Sequence, residues 1–114
     1  MTTAPETRIT QRIMKALRAR GTWVVKYSGG MYSTDGIPDL IACDDGGFVA
    51  IEVKRPLGHG NHKTSKLQAH TIRKIREAGG RAGVACNVEE AIAVMNGEYL
   101  ECQREHEVDP CYNG

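Results

Sequence analysis

The sequence predicts an α/β domain built on a mixed four-stranded sheet flanked by helices, and three observations carry that prediction. Short runs rich in β-branched and aromatic residues alternate with longer runs of helical periodicity, in the order α-β-β-β-α-β-α. The second and third strand-like runs are separated by the turn-forming DDGG (44–47), which joins them as an antiparallel hairpin. The third and fourth are separated by a helix, which makes them parallel neighbours through a right-handed crossover.

Each element has its own local reason. Residues 4–20 place Ile9, Ile13, Ala16 and Leu17 three and four apart, so these apolar positions share a helix face; Thr3 is the expected N-cap and Gly21 the stop. TWVVKYS (22–28) reads as a strand, and SGGMYSTDG (28–36) as a loop from its Gly, Ser and Asp content. Residues 39–44 and 48–54 are the hairpin strands. RPLGHGNHKT (55–64) is a loop, 66–78 a helix with Ile72 and Ile75 on its apolar side and Gly79-Gly80 as its stop, RAGVACN (81–87) a strand, and 88–96 a short helix.

A chain of 114 residues is long enough for one core, which we assign to residues 1–97, leaving 98–114 as an acidic C-terminal tail. No apolar run approaches the roughly 18 residues of a membrane span, and the N-terminus lacks the basic-then-apolar order of a secretory signal. The expected compartment is therefore the cytoplasm, that of a virus-infected host cell included. Reduced thiols follow, and the spacing of Cys102, His106 and Cys111 is not one of the common zinc patterns.

The net charge of +1 conceals an asymmetry: residues 1–87 carry 14 Lys/Arg against 7 Asp/Glu, residues 88–114 carry 1 against 7. Between Val53 and Arg76 no acid occurs among seven Lys/Arg and three His. A basic stretch of this kind suits a polyanion such as nucleic acid, although a solvated charged face has the same composition.

The hairpin then makes a specific prediction. With Asp45-Gly46 as a two-residue turn, Asp44 faces Gly47, Cys43 faces Phe48, Ile41 faces Ala50, and Asp39 faces Glu52. Opposed side chains have Cβ atoms roughly 4.5–5.5 Å apart, where like charges repel unless a cation or a proton lies between them. Lys54 follows Glu52 by two residues and so lies on the same face. Two acids and a lysine suit a hard divalent cation, Mg²⁺ or Mn²⁺, that polarises a phosphodiester and activates water, with Lys54 orienting that water or stabilising charge on phosphorus. An exposed hairpin end with solvated charges would read the same way from these residues alone.

The order GIPDL (36–40), then IEVK (51–54), then a Ser-Lys-Leu-Gln helix start at 65–68 and an AGG…GVA strand resembles the PD-(D/E)xK nuclease superfamily, and more closely its VRR-NUC branch of virus-type, Holliday-junction-resolvase-like nucleases. The resemblance spans about residues 6–95 and implies a restriction-endonuclease-like αβββαβ core. It implies metal ligation by Asp39, Glu52 and Glu6, with Lys54 as the catalytic lysine and Gln68 as the glutamine of the following helix. Thr3-x-x-Glu6 and Ser65-x-x-Gln68 are also capping boxes, but both Glu6 and Gln68 fall on the inward stripe of their helices.

The expected nucleic-acid contacts are Lys26, Ser28, Gly30, Arg55, Lys63 and Lys66, with small residues at 28–30 admitting a phosphate backbone. Gly36 and Pro38 shape the approach to Asp39. The implied activity is metal-dependent hydrolysis of DNA, branched DNA such as a Holliday junction above all, by a homodimer that supplies two active sites. A non-catalytic nucleic-acid-binding module and a nicking or restriction-type nuclease are the alternatives.

Overall fold

Among the described residues four strands and three helices form in the expected order. The structure, a computed structural model, describes residues 5–55 and 64–99. The elements are α1 (Pro5–Ala19), β1 (Trp23–Lys26), β2 (Leu40–Asp44), β3 (Gly47–Val53), α2 (Lys66–Glu77), β4 (Arg81–Ala85) and α3 (Val88–Asn96). The sheet order is β1-β2-β3-β4, antiparallel across the first two pairs and parallel between β3 and β4.

The first strand is shorter than TWVVKYS suggests. Its register runs from Trp23 opposite Cys43 to Lys26 opposite Leu40, and the Tyr27 N–H adds one further bond to the Asp39 carbonyl (2.8 Å) before the chain leaves the sheet. Composition marks which residues favour a strand but not where the partner strand ends, and here β2 begins only at Leu40.

The sheet separates two cores. One face packs Val24, Leu40, Ala42, Val49, Ile51, Val53 and Ala85 against Ile13 and Leu17 of α1 and Ala91, Val94 and Met95 of α3. The opposite parity of the strands supplies the other face, where Ala50 and Ala82 pack against Ile72 of α2, with Ile41, Ile75 and Val84 half-buried around them. Helix α2 thus covers the β3–β4 half of this face. On the β1–β2 half Trp23 is 59% and Val25 36% exposed, and Phe48 at the start of β3 is 47% exposed.

Several polar ties lock the ends of the elements. Thr22 Oγ1 donates to Asp44 Oδ1 (2.9 Å), while Arg81 Nη2 donates to the Asp44 carbonyl (2.9 Å) and Arg81 Nη1 to the Met95 carbonyl, joining the β2–β3 turn to β4 and α3. Asn87 caps α3 by accepting the Glu90 N–H (2.8 Å), and Gly97 ends it in the left-handed region. Past residue 97, Tyr99 still packs on the domain, with the Arg76 guanidinium 3.6 Å above its ring. Among the described residues no helix is long and apolar enough to cross a membrane. Thr3, Lys63, the histidines at 59 and 62 and the stretch from 100 to 114 lie outside the described residues.

Candidate active site

Asp45 (φ 52°) and Gly46 (φ 78°) both adopt positive φ, the signature of the tight turn whose twist matches a hairpin. The register is the one the turn dictates: Asp44 opposite Gly47, Cys43 opposite Phe48, Ile41 opposite Ala50, Leu40 opposite Ile51. One step further, beyond the last regular pair, stand Asp39 and Glu52 on the face that carries α2.

Asp39 is held from two sides. Its carbonyl receives the Tyr27 N–H from β1, and its Oδ2 accepts the Val53 backbone N–H of β3 at 2.9 Å. The second contact was not anticipated from side-chain types, though strand pairing offers the signal, since a carboxylate one residue before an antiparallel strand can reach the neighbouring strand's amides. The approach to Asp39 is equally fixed. Pro38 is buried, and Gly36 (φ 82°) lies so close to α2 that a Cβ there would sit 2.5 Å from Leu67 Cγ. Only glycine satisfies both the dihedral and the contact.

Glu52 is 2% exposed and Lys54 8%. Lys54 Nζ lies 3.5 Å from Glu52 Oε2, and the Lys54 backbone N–H donates to the Ala85 carbonyl (3.0 Å), which anchors the end of β3 to β4. Gln68 performs both of the roles its sequence position suggests. Its Oε1 accepts the Ser65 N–H (3.2 Å), its N–H donates to Ser65 Oγ (3.1 Å), and its Nε2 donates to Glu52 Oε2 (2.8 Å). One amide therefore closes the capping box of α2 and braces the acid.

The electrostatics follow from this geometry. Burial, and then the adjacent Asp39 carboxylate, push the Glu52 carboxyl from its ordinary 4.5 up to about 8, with Lys54 opposing the shift. Near neutral pH the carboxyl thus retains its proton in the absence of a cation. Among the described residues Glu52 Oε1 is buried without a hydrogen-bond partner. An orphaned, buried carboxylate oxygen beside a second carboxylate suits a hard cation, because both oxygens are the ligand type such ions prefer and a cation would relieve the repulsion that holds the proton.

Glu6 does not complete this set. It lies half-buried in the first turn of α1, and among the described residues no group of three or more His, Cys, Asp or Glu gathers closely enough to hold a metal. Periodicity puts Glu6 on the inward stripe, but it does not say which sheet face that stripe covers, and α1 packs on the face of Leu40, Ile51 and Val53, opposite the face of Asp39 and Glu52. Of the expected nucleic-acid contacts, Lys26, Ser28, Gly30 and Lys66 are exposed, and Arg55 is half-buried with its Nε shielded and, among the described residues, without a hydrogen-bond partner. Beside the acids a groove of about 410 Å³ runs between Tyr27, Ile37, Ile41, Phe48, Thr71 and Ile75. Its apolar walls do not suit a phosphate chain.

Comparison with known proteins gives a consistent picture. Residues 7–110 match the model of a family described as archaeal Holliday junction resolvase (Hjc). Among solved structures, a VRR_NUC domain is 23% identical, with 85% of this chain and all of the other covered at a TM-score of 0.66. A second VRR_NUC domain protein is 19% identical over 96% of both chains with a TM-score of 0.61. The Holliday junction resolvase Hjc of Archaeoglobus fulgidus is 24% identical over 71% of this chain and 67% of its own, with a TM-score of 0.53. These likenesses identify the restriction-endonuclease-like α/β fold that the motif order implied. No curated protein matches the sequence.

Proposed function

Because the chain belongs to the archaeal Holliday junction resolvase family, we propose that it is a divalent-metal-dependent endonuclease that hydrolyses DNA phosphodiester bonds, selective for branched DNA such as four-way junctions. The observation that carries this reading is the opposition of Asp39 and Glu52 at the sheet end, with Lys54 and Gln68 both turned onto Glu52 Oε2.

Asp39 and Glu52 are the residues that would hold the ion, Mg²⁺ by the all-oxygen character of the donors, with Mn²⁺ as a substitute. Such an ion supplies a polarised phosphoryl oxygen and a water of lowered pKa. The protein's own groups have distinct tasks. The Val53 amide fixes which Asp39 oxygen turns away from the site, since Oδ2 is already engaged. Gln68 fixes the rotamer of Glu52, leaving Oε1 as the free oxygen. Glu52 must release its proton before it can serve as a ligand, and Lys54 favours that release by its positive charge. The same ammonium, nearly buried, is poised to stabilise charge developing on phosphorus. Lys26, Arg55 and Lys66 are the cations this reading assigns to the phosphate backbone, with the small residues Ser28 and Gly30 admitting it.

A homodimer belongs to this reading. Each chain carries one site, and opening a junction symmetrically takes two cuts. The open β1–β2 half of the sheet face, with Trp23 and Val25, and the adjoining Phe48 at the start of β3 support this with an apolar surface that a second copy would cover.

The test is cleavage of end-labelled four-way junctions and matched linear duplexes in Mg²⁺, in Mn²⁺ and in chelator. The expected result is junction cleavage that needs the ion and falls by roughly a hundredfold or more in Asp39→Ala and in Glu52→Ala. Activity that survives chelation, or full activity in either variant, would overturn the metal mechanism. Junction binding with no cleavage under any divalent ion would favour a binding module instead.

A further inference from the structure

The loop from β1 to Asp39 carries the two most exposed large apolar side chains among the described residues, Met31 at 89% and Tyr32 at 97%. They are adjacent, and the loop that displays them is braced. The Gly30 N–H donates to Ser33 Oγ (2.6 Å) and the Ser33 N–H returns to the Gly30 carbonyl (3.0 Å), which closes a four-residue turn with Met31 and Tyr32 at its two central positions. The Tyr27 hydroxyl donates to the Thr34 carbonyl (3.4 Å) across the base of the loop, and Gly36 seats the far end against Leu67 of α2. An apolar tip is therefore held out into water from a fixed base, with Tyr27, bonded to the Asp39 backbone, at one end and Asp39 itself at the other.

Such a tip contributes nothing to the free protein's core, and a phosphate-only contact has no use for an aromatic ring. A nucleobase offers the matching surface, since every base has a π-face that stacks on an aromatic ring. In intact duplex that face is covered by its neighbours, and uncovering it costs the stacking and pairing that hold it. At a branch point the stacking is already interrupted. Resting on the reading of this chain as a nuclease of branched DNA, we infer that Met31 and Tyr32 form a stacking contact for an unstacked base at the branch, and that this contact sets the preference for branched over linear DNA.

The full-length native chain and Tyr32→Ala, both in chelator so that binding is read without cleavage, are titrated against a four-way junction, the matched duplex, and a junction abasic at the branch nucleotides. Tyr32→Ala is expected to bind the junction about tenfold more weakly and the duplex as the native chain does, with thermal midpoint and sedimentation unchanged. Tyr32→Trp is expected to restore the loss. On the abasic junction the native chain is expected to lose the same factor and Tyr32→Ala to lose nothing more.

Unchanged junction affinity, an equal loss on junction and duplex, or an undiminished effect of Tyr32→Ala on the abasic junction would overturn the inference. A change in sedimentation would also overturn it, by assigning the tip to a contact between copies of this chain. Failure of the native chain to cut any DNA in Mg²⁺ or Mn²⁺ would instead sink the nuclease reading, and it is scored separately.

Discussion

Replacing Glu52 by glutamine should change how stability depends on pH more than it changes stability at any one pH. Glu52 is nearly buried beside Asp39, and its carboxyl is raised from 4.5 to about 8. A group whose pKa is higher in the folded state than in the unfolded chain favours folding fully below the unfolded value, and that contribution is lost as pH rises through the folded value. The window here runs from about 4.5 to about 8, and the shift of 3.5 units corresponds to about 5 kcal/mol across the whole of it. Between about pH 5.5 and 7.5, where one proton separates the two states almost completely, the native chain should lose about 2–3 kcal/mol that the Glu52→Gln variant does not lose.

Urea unfolding of both chains at several pH values in chelator measures this difference, and subtraction removes the titration of every other group. Adding Mg²⁺ should offset the loss at the alkaline end, because the ion takes over from the proton in relieving the carboxylate pair, and its apparent affinity should rise about tenfold per pH unit below 8. Parallel pH profiles for the two chains would refute the reasoning, since they would mean that Glu52 titrates as an ordinary surface acid.

Three further outcomes follow from the same geometry. Gly36→Ala combines a positive φ with a Cβ 2.5 Å from Leu67 Cγ, so it should lower stability by about 1–3 kcal/mol and slow cleavage by displacing Asp39; a change within about 0.5 kcal/mol by denaturant unfolding would show that the loop yields. Gln68→Ala removes both the cap acceptor and the donor to Glu52, whereas Ser65→Ala removes the cap alone. The first should therefore cost about 1–2 kcal/mol more than the second and reduce the cleavage rate, and equal effects in both assays would confine Gln68 to capping. Trp23→Lys places a charge on the open sheet face and should weaken self-association by about 2 kcal/mol or more in sedimentation equilibrium while leaving the monomer folded; an unchanged association constant would remove this face from the dimer.

The local elements were legible because their signals are local. Spacing of three and four located α1 and α2, and Asp45-Gly46 set the hairpin register, from which the Asp39–Glu52 opposition followed by counting. Gln68 was legible in both its roles because a capping position and an inward-facing position coincide in the first turn of α2. What was not legible depends on how elements cross. The end of β1 at Lys26 is set by where β2 starts, not by residue preference. That Glu6 does not join the two acids follows from the packing of α1 on the opposite face of the sheet, which a helical repeat does not encode. That α2 shields only the β3–β4 half of its face, leaving Trp23 and Val25 open, is likewise a matter of relative helix and sheet width. The clasp of Arg81 on Asp44 and Met95, and the packing of Tyr99 on Arg76 beyond residue 97, join residues too far apart in sequence for any pattern to connect.

The Asp45-Gly46 turn has one more consequence, for how this chain tolerates change. Turn tips are ordinarily where a protein accepts an extra residue most easily. Here five paired positions separate the turn from the acids, about 17 Å of strand, and the strands carry any change in loop length along that distance unaltered. A single inserted residue that shifted the pairing would turn Glu52 toward the opposite face of the sheet, into the packed core, while Asp39 stayed where it is. The most exposed and chemically silent part of the hairpin is therefore the part whose length the chemistry can least spare.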